Sequence, residues 1–333
     1  MLKDKNILVT GGNSGIGFFS TINLLKHKNN LYILIRSISR KEEFLNKIQK
    51  YYDKNYLNKY LNIIENIDLS DLKNIKKIKD FFVGKKIFFD VIILNAGLQY
   101  TGSHYPKVSK QGIELTFAVN HLAHFYLVNS LIELMINKTE SRIIITSSDV
   151  HDPENPGGNV GKKAGLNNLV DFKEEITGKF LNFNADRSYK NSKLCNILFA
   201  KELSKRLIKI SSDISVITWA PGLVIPNDNS GFFRYSKKFN LLGYIIFSNI
   251  AKNILGISES VENAGKLLSD IVFDPNYKGI GYVHLSNKLV FFKKHKLLKS
   301  NVSNEANNNK LALKLWILSE EICRSSGFIS FNI

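Results

Sequence analysis

The chain has 333 residues, 46 Lys+Arg against 29 Asp+Glu, and a formal net charge of +17. Its 44% hydrophobic and 11% aromatic content excludes intrinsic disorder, and its length excludes a large multidomain machine. Two cysteines, Cys195 and Cys323, exclude a disulfide scaffold and lack paired zinc spacing, so the expectation is a reducing, cytoplasmic setting and no metal.

Met1 to Asn6 is polar and leads directly into a strand, without the order of a signal peptide. Short apolar runs then alternate with helical spacing. Asn6 to Thr10, Leu31 to Ile35, Val91 to Leu94 and Arg142 to Thr146 read as buried parallel strands, with Leu61 to Ile67 and Ile214 to Trp219 less pure but in step. Ile16 to Lys26, Asn120 to Met135 and Lys190 to Leu207 read as helices. Parallel strands need crossovers of one hand, so the predicted fold class is α/β, a doubly wound Rossmann-type sheet.

The expected organisation is a single domain over 1–333. It carries an insertion loop over 152–186, a substrate lid over 222–257 and a carboxy-terminal extension over 275–333. In that extension a short strand-like run, Gly281 to Leu285, precedes polar residues and a helix from about Ala306 to Cys323. The apolar stretch Leu241 to Ile257 is broken by Asn249, Lys252 and Asn253, and falls short of the roughly 20 apolar residues of a spanning helix. Lys and Asn are spread through every segment, so the charge points to no nucleic acid partner.

The first predicted strand ends in Thr10-Gly11-Gly12-Asn13-Ser14-Gly15-Ile16-Gly17 and a helix follows. Glycines let the backbone approach a pyrophosphate, and a helix amino terminus offers free N–H groups, so this turn reads as a dinucleotide site. An acid after the second strand would hold a ribose 2′-hydroxyl, whereas this chain has Arg36, with Arg40 and Lys41 nearby. That predicts NADP(H). Tyr189 and Lys193 stand four apart on one helix face, and an ammonium beside a phenol lowers its pKa, which fits Tyr189 for acid–base work. Cys195 points to the other side of that helix and reads as a buried, inert thiol. His121 and His124 read as satisfied helix histidines.

With Asp68-Leu69, Asn95-Ala96-Gly97, Asn120, Ser147-Ser148 and Pro221-Gly222, these motifs resemble the short-chain dehydrogenase/reductase family over roughly the first 225 residues. The resemblance implies that Asp68 meets the adenine and that Ser148 orients the reacting oxygen, with Ser147 left as the alternative. It further implies that Tyr189 is the acid/base, that Lys193 binds the ribose, and that Asn120 supports a proton relay.

A narrower likeness comes from the long gap before Tyr189, from YKNSKLCN at Tyr189 to Asn196, from Gly231-Phe232-Phe233-Arg234, and from the ending around Trp316 to Glu321. These resemble light-dependent protochlorophyllide reductases, and more distantly retinol dehydrogenases. One departure is Leu223, where protochlorophyllide reductases carry a cysteine. The implied activity is hydride transfer from NADPH to a bulky hydrophobic small molecule. A dark carbonyl or alcohol reaction and a non-catalytic NADP(H)-binding regulator stay open, as do peripheral membrane contact and homo-oligomer formation.

Overall fold

The computed structural model describes residues 4–136, 140–167, 169–178, 180, 183–210, 212–225 and 241–328. Its main sheet holds eight strands: β1 (Asn6–Thr10), β2 (Asn30–Leu34), β3 (Leu61–Ile64), β4 (Val91–Leu94), β5 (Arg142–Thr146), β6 (Ser215–Ala220), β9 (Tyr282–Phe291) and β10 (Lys294–Lys299). β7 (Leu223–Val224) and β8 (Ser258–Glu259) form a separate parallel pair. The order in the main sheet is β10-β9-β6-β5-β4-β1-β2-β3, and every pairing is parallel except β9 with β10. Strands such as Val91–Leu94 are buried on both faces, which is why they are continuously apolar rather than alternating. The winding reverses between β1 and β4, and ligands of open α/β sheets bind outside the strand ends at such a switch point.

One face of the sheet is covered by α1 (Gly15–Leu25), α2 (Ile38–Ile48) and α11 (Val261–Phe273). The other carries α4 (Leu72–Gly84), α6 (Ala123–Leu131), α9 (Ala185–Lys209) and α12 (Asn309–Ser325). Shorter pieces are α3 (Lys54–Tyr60), α5 (Leu115–Phe117), α7 (Pro156–Asn159), α8 (Leu169–Ile176) and α10 (Leu241–Asn249). α12 anchors itself by burying Trp316 against Phe125 and Phe199, with Arg206 stacked 4.2 Å from the indole centre. On the opposite face α1 and α11 approach closely, Ser20 and Ser269 sharing a 3.2 Å hydrogen bond.

Three expectations shift. The helix expected from Asn120 starts earlier, at Leu115, where the buried Glu114 carboxylate caps the amides of Thr116 and Phe117, and it passes through a π-helical turn, Ala118–Leu122. The expected insertion loop contains α7 and α8 and is tied down rather than loose. Buried Lys190 donates to the carbonyls of Gly158, Val160 and Lys162 and pairs with Asp186 at 2.9 Å, while the Gly165 amide donates to Asn191. The strand expected at Gly281 to Leu285 continues to Phe291 and turns back as β10, so a hairpin stands where polar loop was expected. Of the expected lid over 222–257, residues 226–240 lie outside the described residues.

Candidate active site

The turn after β1 is built by close contact. A Cβ at Gly17 would sit 2.1 Å from the Gly11 carbonyl oxygen, so only glycine lets α1 start against the turn. Gly11 (φ +66°) packs its α-carbon side onto Ala96, which locks the first turn to the segment after β4. Ser14 caps α1 without a side-chain hydrogen bond, and no acid stands in the first turn. The leading amides around Gly15, Ile16 and Gly17 therefore have no side-chain cap.

A hydrogen-bond chain joins three of the sequence motifs. The amides of Asn95 and Ala96 donate to the Thr10 hydroxyl at 2.9 and 3.0 Å. That hydroxyl lies 3.0 Å from His124 Nε2, and His124 Nδ1 lies 3.1 Å from the Asn120 carbonyl oxygen. A carbonyl only accepts, so Nδ1 carries the proton, Nε2 accepts from Thr10, and the imidazole is neutral. Burial pushes the His124 pKa down to about 3, in keeping with that tautomer. The Asn120 side chain closes on the same region: Oδ1 accepts from the Leu98 amide at 2.8 Å, and Nδ2 donates to Leu98 O and Ser192 Oγ.

At the end of β5 the two serines separate. Ser147 is buried and donates to the Lys193 carbonyl at 3.0 Å, whereas Ser148 hydrogen-bonds the Tyr189 side chain. Of the two alternatives, then, Ser148 is the one that meets the phenol. Lys193 is 3% exposed, donates to the Thr146 carbonyl at 3.1 Å, and has its ammonium 5.5 Å from the Tyr189 ring centre.

The electrostatics differ from the expectation. Burial raises the Tyr189 pKa above that of a free tyrosine, opposed by the Ser148 hydrogen bond, and lowers Lys193 to about 8. Desolvation thus outweighs the Ser148 hydrogen bond, and the phenol holds its proton through neutrality. Ser148 itself is steadied by His151, whose Nδ1 lies 2.7 Å from the Ser148 carbonyl and whose Nε2 accepts from the Ser303 amide.

The remaining sequence candidates surround this core. Arg36 lies exposed just beyond β2 and has no ion pair among the described residues, while Arg40 and Lys41 are engaged by Glu43 and Glu65 at 2.8 and 3.0 Å. Asp68 lies beyond β3 and accepts from the Ser70 amide, with Leu69 packed partly into the core. Asn95 spans from Thr146 to the Gly11 carbonyl. Asn13 lies half-buried in the turn, and Pro221-Gly222 follows β6, where Asn287 holds the Pro221 carbonyl at 3.1 Å.

A nicotinamide dinucleotide fits these residues. No atom lies within 4 Å of a Cβ built on Gly15, and one built on Gly97 would stand 3.5 and 3.6 Å from Asn120 Oδ1 and Lys193 Nζ. A side chain at Gly97 would fill the space next to the lysine. Cys195, by contrast, is fully buried with its thiol pKa pushed up, and His121 and Cys323 also lie in the core.

Sequence reasoning set aside His124 and did not single out Lys190 or His151. Their roles come from contacts across 114 residues to Thr10, across about 30 residues to the insertion, and across 152 residues to Ser303. No local spacing encodes such distances.

A family model described as short chain dehydrogenase matches residues 5–171. The chain is 26% identical to the WW domain-containing oxidoreductase of Homo sapiens over 96% of its own length and 68% of that protein's. It is 27% identical to the chloroplast protochlorophyllide reductase of Pisum sativum, covering 96% and 78% of the two chains. Among solved structures it is similar to an uncharacterised protein of Mycobacterium paratuberculosis, with TM-score 0.68, 20% identity, and coverage of 97% and 94%. It is also similar to the Pseudomonas aeruginosa RhlG/NADP complex, with TM-score 0.61, 18% identity, and coverage of 86% and 95%.

Proposed function

The chain belongs to the short-chain dehydrogenase family and is an oxidoreductase, and from that premise we propose that it reduces a bulky hydrophobic substrate with NADPH, Tyr189 giving the proton. The observation that carries this reading is the meeting of Ser148, Tyr189 and Lys193 around one phenol. Bound NADPH would supply the hydride, two electrons and one proton's mass, and Tyr189 the proton that completes the reduction. Burial of the phenol keeps it in the protonated form, the form that carries the proton a reduction needs. As its O–H bond breaks and the substrate's new bond to hydrogen forms, the Ser148 hydrogen bond and the buried Lys193 ammonium stabilise the phenolate. Asn120, held through Leu98, Ser192 and His124, supports reprotonation. The first-turn amides of α1, with Asn13, Asp68, Leu69 and Asn95 to Gly97, would hold the dinucleotide, and Arg36 its 2′-phosphate.

For the substrate, the likeness to protochlorophyllide reductases puts a pigment carbon–carbon double bond first. Leu223 favours a second reading, a carbonyl reduced in the dark, because its side chain offers no proton where those reductases have a thiol. The test is NADPH oxidation with protochlorophyllide in darkness and after a flash, beside a panel of bulky apolar aldehydes in the dark, each repeated with Tyr189→Phe. Turnover that survives Tyr189→Phe at the wild-type rate overturns the mechanism. NADPH binding with no turnover on any substrate leaves the non-catalytic regulator.

A further inference from the structure

The β9–β10 hairpin projects past the edge of the sheet with four consecutive large apolar residues in solvent. Leu289, Val290, Phe291 and Phe292 are 40%, 50%, 74% and 50% exposed. A second exposed element is α10, Leu241–Asn249, in which no residue is buried although six of its nine side chains are apolar or aromatic. Leu241, Leu242, Ile245 and Ile246 are each more than half exposed. The chain that follows α10 reaches the hairpin: the Lys293 amide donates to the Gly256 carbonyl at 3.2 Å, and His295 lies 3.3 Å from the Ile257 carbonyl. Exposed apolar side chains grouped in this way on a folded chain mark a place where something docks.

Its charge says what. Lys288 to Lys299 holds five lysines and no acid, and Leu241 to Ile257 holds one lysine and no acid. None of the five hairpin lysines is in an ion pair among the described residues. Lysine on an edge strand also keeps other strands from pairing with it, and for β10 that accounts for the charges. It does not account for four exposed apolar residues at the tip. We infer that the tip of the β9–β10 hairpin and the apolar side chains of α10 dock on an anionic lipid bilayer, the aromatic side chains entering the headgroup boundary and the lysines meeting the lipid phosphates.

A second copy of the chain is the poorer occupant, since it would bring five more lysines against these five on a chain already at +17. The docking face adjoins the catalytic cleft, because β9 runs directly from Asn287, which holds Pro221, into the hairpin. On the substrate reading above, a hydrophobic molecule would reach the site from the bilayer. Docking itself does not rest on that reading.

The experiment uses the full chain with vesicles of phosphatidylcholine alone and of phosphatidylcholine mixed with phosphatidylglycerol. Binding is read by co-sedimentation at low and high salt. Each lysine is worth about fivefold in partitioning onto an anionic surface, so Lys293→Glu with Lys294→Glu should weaken binding by about thirtyfold or more. Phe291→Ser with Phe292→Ser should weaken it by more than about tenfold. Both pairs lie at an exposed tip, and unchanged NADPH affinity and thermal midpoint would show that the fold is intact. Trp219 and Trp316 are both buried, so the emission of a Phe291→Trp variant should shift to the blue with anionic vesicles and not with neutral ones. No binding to anionic vesicles, equal binding to neutral ones, or binding unaltered by both variant pairs would overturn docking on lipid. A wild-type dimer in solution that Phe291→Ser with Phe292→Ser dissociates would assign the face to a second copy instead.

Discussion

Arg36→Ala should abolish most of the preference for NADPH over NADH. Three cations follow β2, but Arg40 and Lys41 already serve Glu43 and Glu65, so a phosphate would have to break an ion pair to recruit either. Arg36 has no such partner among the described residues and is exposed, so its contact with a phosphate would be screened. A charge-assisted hydrogen bond contributes on the order of 1.5 to 3 kcal/mol, and exposure points to the lower figure, about tenfold in affinity. Salt should compress the difference further, because the Debye length is about 8 Å near physiological ionic strength. Arg36→Asp goes beyond loss of the contact: a carboxylate repels the phosphate and can accept a ribose hydroxyl, so the order of the two cofactors should level or reverse. The measurement is the dissociation constant of each cofactor, by quenching of protein fluorescence or calorimetry, in wild type and both variants at two salt concentrations. Equal constants in the wild type, or a ratio that Arg36→Ala leaves alone, would refute the assignment.

Tyr189→Phe should lower kcat by roughly 10² to 10⁴ while leaving the NADPH dissociation constant within a few-fold, as single-turnover and binding measurements would show. Acid should destabilise the fold through buried neutral histidines, since His121, His124 and His284 are each held down to about 3. Their folded values lie below the unfolded one, so the unfolded chain binds protons first. The stability they leave intact above about pH 6.5 is lost as pH falls toward 3, at about 2 kcal/mol for each histidine by pH 5. Glu114 and Asp149, raised by burial, act in the opposite sense. Comparison of His121→Leu with wild type by guanidinium unfolding at pH 7 and 5 isolates one histidine, and a pH 7-to-5 difference the same in both proteins would count against it. Leu223→Cys should raise any flash-driven reduction of protochlorophyllide and leave dark carbonyl reduction within a few-fold; robust photoreduction by the wild type would make the leucine irrelevant.

What the sequence made legible was local. The runs at Asn6–Thr10, Val91–Leu94 and Arg142–Thr146 are continuous because both faces of each strand are covered, so their ends could be read from composition alone. The glycine turn was equally plain, because Gly11 and Gly17 are required by contacts within a dozen residues and with the next strand's end. Tyr189 and Lys193 shared a face by helical spacing, but the sign of the phenol's pKa shift did not follow. Spacing reports which charges are near and is silent on how much water has been removed, and around Tyr189 the lost water outweighs the Ser148 hydrogen bond that opposes it.

The hairpin shows the converse failure. Asn287 to Lys299 mixes five lysines with apolar residues in no strict alternation, because Lys288 to Phe291 at the end of β9 are exposed on both faces while β10 buries its residues only in part. Period-two patterning arises only when one face is buried, so a hairpin built to meet another phase loses the signal by which strands are found. Among the described residues this tip is left largely uncovered, and Phe291 and Phe292 are 74% and 50% exposed. The segment hardest to assign from sequence is thus the one whose apolar groups the fold does not use. Lys190 is its mirror image: a charged residue beside Tyr189 that pattern would send to the surface, held 2% exposed because three carbonyls of the insertion and Asp186 replace its water.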